Sequence, residues 1–154
     1  MLENLPEDLT AAHAQGKAPW TERVKTDFHV AVFRDKYPVT DGHLLFVPQY
    51  ATISVIVDAV NDAIEAGMKM VAAGECKGFN IGMNFGECAG QTVPWPHVHL
   101  IPRRIGDTPD PVGGVRRVVE GKGNYKKTPP PFVLQKRSKD DLNEGYNYRD
   151  HEAE

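Results

Sequence analysis

Gly90-Gln91-Thr92-Val93-Pro94-Trp95-Pro96-His97-Val98-His99-Leu100-Ile101-Pro102-Arg103 is the stretch whose reading decides both fold and chemistry. Alternate residues of a β-strand share a face. A strand from about Trp95 to Ile101, closed by Pro102, therefore turns His97 and His99 to one side and Val98 and Leu100 to the other. On this alternation Trp95 falls on the histidine face, two positions before His97. Pro94 and Pro96 lack the N–H that a ladder needs, so the start of the strand must be an edge or irregular. A neutral imidazole is a fair nucleophile, with an ordinary pKa of about 6.5. The turn ahead of it, with glycines at 82, 86 and 90, offers backbone amides to an anion. Taken alone, His-x-His carries three readings: half of a metal site, two surface histidines without a role, or catalysis at a phosphate.

Working outward, Phe79, Ile81 and Met83 alternate with Asn80, Gly82 and Asn84, which predicts a strand over Gly78–Asn84. Before it lies the one long helical pattern. Ile53, Val57, Val60, Ile64 and Val71 recur at three-to-four spacing, with Asn61, Asp62, Glu65 and Lys69 on the other side. The pattern predicts a helix from about Ser54 to Ala73, capped by Gly74, with that apolar stripe against a sheet face. Phe28–Asp35 and His43–Pro48 are rich in strand formers, and the turn between them is marked by Pro38 and Gly42. They predict an antiparallel pair. The first residues, to about Thr26, are polar with short helical potential around Glu7–Gln15. The fold expected is α+β, an antiparallel sheet of about five strands with the long helix packed on one face. Residues 1–120 form the domain, its core at about 28–107, and 121–154 form a polar tail containing Pro129–Pro131. That tail cannot build a core alone; it is either loosely ordered or lies on a partner subunit.

Composition bounds the partners. The chain has 154 residues, 40% hydrophobic and 25% charged, with a net charge of −3. A balance so close to neutral argues against a nucleic-acid binder held by a global positive field. No run approaches the roughly 20 apolar residues that span a bilayer, and the start, Met1-Leu2-Glu3-Asn4, has no signal-peptide character. Two cysteines, Cys76 and Cys88, make no disulfide framework and no CxxC clamp, so free thiols in a reducing cytoplasm are expected.

With these flanks the central segment resembles the signature of the histidine triad (HIT) family of nucleotide hydrolases and transferases. That signature is His-φ-His-φ-His-φ-φ, with φ apolar, preceded by Gly-Gln-Ser/Thr-Val and often followed by Pro-Arg. Gly90-Gln91-Thr92-Val93 and Leu100-Ile101-Pro102-Arg103 set the same register from both ends, so His97 falls on the middle histidine and His99 on the last. The resemblance runs back through Phe33-Arg34-Asp35, Pro38, Gly42-His43 and Leu45-Phe46-Val47-Pro48, and Asn84 stands where the family often has an asparagine. It covers about Phe28 to Asp107, with one departure: the first triad histidine is Trp95 here.

The resemblance implies roles. His97 would attack the α-phosphorus and carry a covalent nucleotide, its other ring nitrogen donating to a backbone carbonyl. His99 would hold phosphate oxygens. Asn84, Gln91 and Thr92 would donate hydrogen bonds to the phosphates or leaving group. Asp35 would accept from the ribose hydroxyls, and Phe33 would lie near the base. His43 would stand behind the triad with its usual partner missing. Trp95 would either fill space or reshape the nucleotide pocket. A homodimer is implied, and no required cofactor, with Mg²⁺ able to accompany a polyphosphate. The substrates implied are dinucleoside polyphosphates such as diadenosine tetraphosphate, then adenosine phosphoramidates. Two other readings stand beside this one: a nucleotide-binding protein with little or no turnover, and a metal-dependent hydrolase using His97, His99 and His43.

Overall fold

The computed structural model describes residues 2–124 together with 126 and 127. Of the expected tail, all but 121–124, 126 and 127 lies outside the described residues. The chain forms helix α1 (Leu9–Ala14), strands β1 (Arg23–Thr26), β2 (Val30–Arg34) and β3 (Leu44–Pro48), helix α2 (Ile53–Ala72), and strands β4 (Gly78–Gly82) and β5 (Val98–Arg103). The five strands make one antiparallel sheet in the order β1-β2-β3-β5-β4. β1 was not anticipated. All four of its residues are exposed and its register is broken by a bulge, so it carries no apolar alternation to read.

Helix α2 ends as expected. Gly74 takes φ +75°, the Glu75 N–H donates to the Met70 carbonyl and the Gly74 N–H to Val71, the paired bonds of a Schellman stop. Its buried face, however, is not the one the bulky residues suggest. Val55, Ala59, Ala63 and Gly67 are buried, with Ala59 and Ala63 packed among Val30, Val32, Phe46, Val98 and Leu100 of the sheet. Ile53, Val57, Ile64, Met68 and Val71 are exposed. Small side chains let the helix sit close to the strands: a Cβ at Gly67 would fall 2.7 Å from the Phe79 ring.

The other sheet face carries Ala31, Phe33, Leu45 and Val47, covered by Leu9 and Ala12 of α1, by Ala18 and by Trp95. Asp8 caps α1 by accepting from the Ala11 N–H at 2.8 Å. β5 begins at Val98 rather than Trp95, because the two prolines interrupt the ladder. Nor does Pro102 end it: the strand continues to Arg103, with Phe79 opposite Pro102. The Pro102 carbonyl accepts from Thr40 Oγ1 at 2.7 Å on the side where pairing with β3 has already stopped at Leu44–Leu100. A residue's N–H and C=O point the same way in a strand, so the missing donor costs no ladder bond there.

Candidate active site

Register places the histidines. Leu45 of β3 stands opposite His99, so His99 shares the sheet face of Leu45 and Phe33, away from α2. His97 immediately precedes β5 on that same side. Its Nδ1 lies 2.9 Å from the Trp95 carbonyl. A carbonyl only accepts, so Nδ1 carries the proton and Nε2 keeps its lone pair. Burial lowers the His97 pKa from 6.5, outweighing the Trp95 bond and the Asp35 carboxylate, which raise it. The imidazole is therefore neutral at neutral pH.

His99 is fixed by a second chain of bonds. The Val39 N–H donates to His43 Nδ1 at 3.3 Å, which leaves the His43 proton on Nε2. His43 Nε2 lies 3.0 Å from His99 Nδ1 and so donates to it. His99 must then carry its own proton on Nε2, as a donor. The partner of His43, expected to be missing, is His99. Burial first, then the neighbouring His97 and His43, push the His99 pKa down to about 4 despite Asp35. His43 is lowered too, by burial against the opposing effect of Asp35. Asp35 accepts the Tyr37 N–H at 2.7 Å through Oδ1, and its Oδ2 lies 3.6 Å from His43 Nε2 and 3.9 Å from His99 Nδ1.

Those three atoms, of Asp35, His43 and His99, are close enough together to surround a metal ion. The donor set is nonetheless wrong for one. A ligating histidine donates its other N–H outward to an acceptor, whereas His43 Nδ1 faces the Val39 N–H and its proton sits on the nitrogen that would have to ligate. His97 stands outside this cluster, so the trio His97, His99 and His43 does not form a metal site.

A cleft of about 530 Å³ opens beside His97 and His99, walled by Trp20, Asp35 and Thr92, with Arg34 and Lys36 at its edge. Trp20 was not singled out from the sequence. Its ring lies 4.8 Å from that of His97, and it was legible only as a lone aromatic in a polar stretch. Phe33, expected near the base, is 1% exposed and packs beneath Trp20 at 6.1 Å, so it supports the cleft from the core. Trp95, weighed as a pocket wall, is wholly buried among Leu9, Ala12, Phe33 and Leu45, and its Nε1–H donates to the Pro48 carbonyl at 2.9 Å. It keeps the sheet face of Phe33 and Leu45 that the alternation gives it, and its indole is absent from the lining of the cleft. Gln91 is also turned inward. Its Oε1 accepts the Gly86 N–H at 2.8 Å and its Nε2 donates to Val93 and Pro94 carbonyls, both at 3.1 Å. Both amide protons are committed, so Gln91 braces the turn and has none spare for a phosphate. Asn84 lines a neighbouring cavity that also touches His99.

The HIT domain family profile matches residues 19–106. Over 84 residues the chain is 34% identical to the asymmetrical bis(5'-nucleosyl)-tetraphosphatase of Schizosaccharomyces pombe, covering 50% of this chain and 46% of that one. Over 93 residues it is 31% identical to the adenosine 5'-monophosphoramidase HNT1 of Saccharomyces cerevisiae, covering 58% of each. Among solved structures, a zinc-bound histidine triad family protein from Mycobacterium smegmatis superposes with a TM-score of 0.54 at 27% identity, covering 64% of this chain and 81% of that one. The chain spans about half the length of the curated relatives it matches.

Proposed function

The chain belongs to the HIT domain family, and from that premise we propose that it is a nucleotide hydrolase acting at the α-phosphorus through a nucleotide held covalently on His97. The observation that carries this reading is the bond from His97 Nδ1–H to the Trp95 carbonyl, which leaves Nε2 unprotonated on a ring that lines the cleft. In the first step that lone pair forms the N–P bond. The bond to the leaving oxygen or nitrogen breaks, and its pair stays with the departing atom, which takes a proton from water. In the second step water attacks phosphorus and gives up a proton to solvent, the N–P bond returns its pair to His97, and the nucleoside monophosphate leaves.

His99 serves as a neutral donor. Its Nε2–H, set by the Val39–His43–His99 chain, meets the phosphate oxygen on which charge accumulates. Thr92 adds a hydroxyl, and Arg34 and Lys36 supply positive charge at the edge of the cleft. Asp35 reads the ribose hydroxyls, and Trp20 offers the base a stacking face. Gln91 acts by holding the turn before His97. The cycle needs no resident metal, because nucleophile and oxyanion donor are both imidazoles; Mg²⁺ enters only with a polyphosphate.

The substrates we infer are dinucleoside polyphosphates and adenosine phosphoramidates. Two relatives are named for activities of these kinds. A homodimer belongs to the same reading. Ile53, Val57, Ile64, Met68 and Val71 form one exposed apolar stripe on α2, and a second copy would cover it. Met68→Asp should then sediment as a monomer, and unchanged sedimentation would remove that assignment. Among the described residues no helix is long and apolar enough to cross a membrane, and Cys76 and Cys88 are free thiols, as a reducing cytoplasm allows.

The test is a panel of nucleotides with the intact chain and His97→Ala. Release of AMP by the first, abolished in the second with nucleotide affinity within about tenfold, supports the assignment. Nucleotide binding without release in the intact chain favours a binding protein instead.

A further inference from the structure

We infer that Thr40, on the turn between β2 and β3, is a positioning residue that sets which ring nitrogen of His99 carries the proton. The inference rests on the hydrolase reading and adds a residue to its machinery. One proton lies between His43 Nε2 and His99 Nδ1, which are 3.0 Å apart, and either nitrogen could own it. Asp35 does not choose between them. Its Oδ2 lies 3.6 Å from the first atom and 3.9 Å from the second, so the carboxylate favours a proton in that gap whichever ring holds it. Nor does burial choose. It keeps both rings neutral at neutral pH, and each neutral imidazole carries one proton. The two arrangements differ at the far ends of the pair. In one, His43 Nδ1 is bare and His99 Nε2 carries a proton. In the other, His43 Nδ1 carries the proton and His99 Nε2 presents a lone pair to the phosphate.

The choice is made at the Val39 N–H. It faces His43 Nδ1 at 3.3 Å and bonds only to a bare nitrogen, so a proton on Nδ1 would set two donors against each other. Val39 is 67% exposed, on a turn that projects from the sheet, and the placement of its N–H depends on what holds that turn. Inside the turn the Tyr37 N–H donates to Asp35 Oδ1 at 2.7 Å and the His43 N–H to the Thr40 carbonyl at 3.2 Å. Among the described residues, two side-chain tethers tie the turn to the end of β5. Arg104 reaches the Asp41 carbonyl at 3.0 Å and its carboxylate at 3.7 Å. That carboxylate is 98% exposed, so its pairing with Arg104 is screened by water and holds little. Thr40 Oγ1 donates to the Pro102 carbonyl at 2.7 Å, a shorter and half-buried bond across 62 residues of sequence. Thr40 adjoins Val39, so its hydroxyl fixes the backbone whose N–H orients the two rings. Without that bond the turn can carry the Val39 N–H away. His43 Nδ1 can then take the proton, and the donor that His99 offers the phosphate becomes an acceptor.

The test reads the protons themselves. In the intact chain labelled with 15N-histidine, long-range 1H–15N spectra at neutral pH distinguish protonated from bare ring nitrogens. They should place the proton on Nε2 in His43 and His99 and on Nδ1 in His97. Thr40→Val keeps the side-chain shape and removes the donor. It should move His43 and His99 together toward Nδ1 protonation and leave His97 as it was. With an adenosine phosphoramidate its kcat should fall by about tenfold and KM should stay within about threefold. The loss is smaller than the roughly 10²–10³ of deleting an oxyanion donor, because the donor is displaced only part of the time. Thr40→Ser restores the hydroxyl and should recover both the proton positions and kcat. A proton on His99 Nδ1 in the intact chain overturns the inference without any variant. So does a Thr40→Val protein whose proton positions are unchanged, whatever its Tm, since the hydroxyl then serves stability alone. Should the intact chain cleave no nucleotide, the hydrolase reading falls by itself, and the spectra still decide the proton positions.

Discussion

Trp95→His would restore a full His-x-His-x-His pattern, and the structure says that it should damage the protein. The indole has 0% exposure and packs on Leu9, Ala12, Phe33 and Leu45, with Nε1–H on the Pro48 carbonyl at 2.9 Å. Truncating a buried Trp to Ala costs about 3–5 kcal/mol. Imidazole recovers part of that volume, and the Pro48 carbonyl loses its donor, so we expect a loss of roughly 2–4 kcal/mol. For a chain of this length that lowers Tm by roughly 10 °C. The carbonyl that fixes His97 Nδ1 belongs to residue 95 itself, so kcat should fall as the backbone relaxes. KM should stay within about threefold, because the indole does not line the cleft. Urea unfolding followed by fluorescence gives the stability, and steady-state kinetics below Tm give kcat and KM. Trp95→Phe, which keeps more of the volume and loses the Nε1–H bond, should be intermediate. A Trp95→His protein of undiminished stability and raised kcat would refute the core assignment and make residue 95 a vacant relay position.

Three further outcomes follow from single contacts. Asp35→Asn should raise KM for ribonucleotides more than it lowers kcat, and should matter less for 2',3'-dideoxy substrates; equal losses on both remove Asp35 from ribose recognition. Acid should destabilise the fold through His99. The unfolded imidazole takes a proton near 6.5 while the folded one refuses it until about 4. Stability is therefore full above about 6.5 and falls between there and about 4, by up to roughly 3 kcal/mol. Urea titrations from pH 7 to 4.5 should show this slope, and it should become shallower in His99→Gln, the remainder belonging to His43 and His97, which burial also holds below 6.5; an undiminished slope in that variant assigns the effect elsewhere. Gly67→Ala, which ordinarily stabilises a helix interior by about 1 kcal/mol, should here lower Tm, because the new Cβ would lie 2.7 Å from the Phe79 ring; a raised Tm would show that the ring yields freely.

What the sequence makes legible here is what local pattern controls. Alternation puts His97 and His99 on one face, and turn chemistry separates β2 from β3. Gly74 closes α2 with the bonds its position predicts. The orientation of α2 was not legible, because the helix carries two stripes. One is bulky, at 53, 57, 64 and 71, and the other is small, at 59, 63 and 67. Periodicity reports both, but only close approach to Phe79 and Val98 decides that the small one is buried. Trp95 falls on the histidine face as alternation expects, but whether it fills the core or walls the pocket is decided by its packing on Leu9 and Ala12, far from it in sequence. The partner of His43 and the inward turn of Gln91 depend on contacts across 56 residues and within one loop respectively, which spacing does not encode.

The covalent role of His97 can be read directly. The intact chain is mixed rapidly with an adenosine phosphoramidate, quenched in base to protect an acid-labile P–N bond, and digested for peptide mass spectrometry. An adenylyl group on the peptide spanning His97, localised to His97 rather than His99 and absent from His97→Ala, is the predicted result. Full turnover with no adduct at any time, or an adduct on His99, would contradict it.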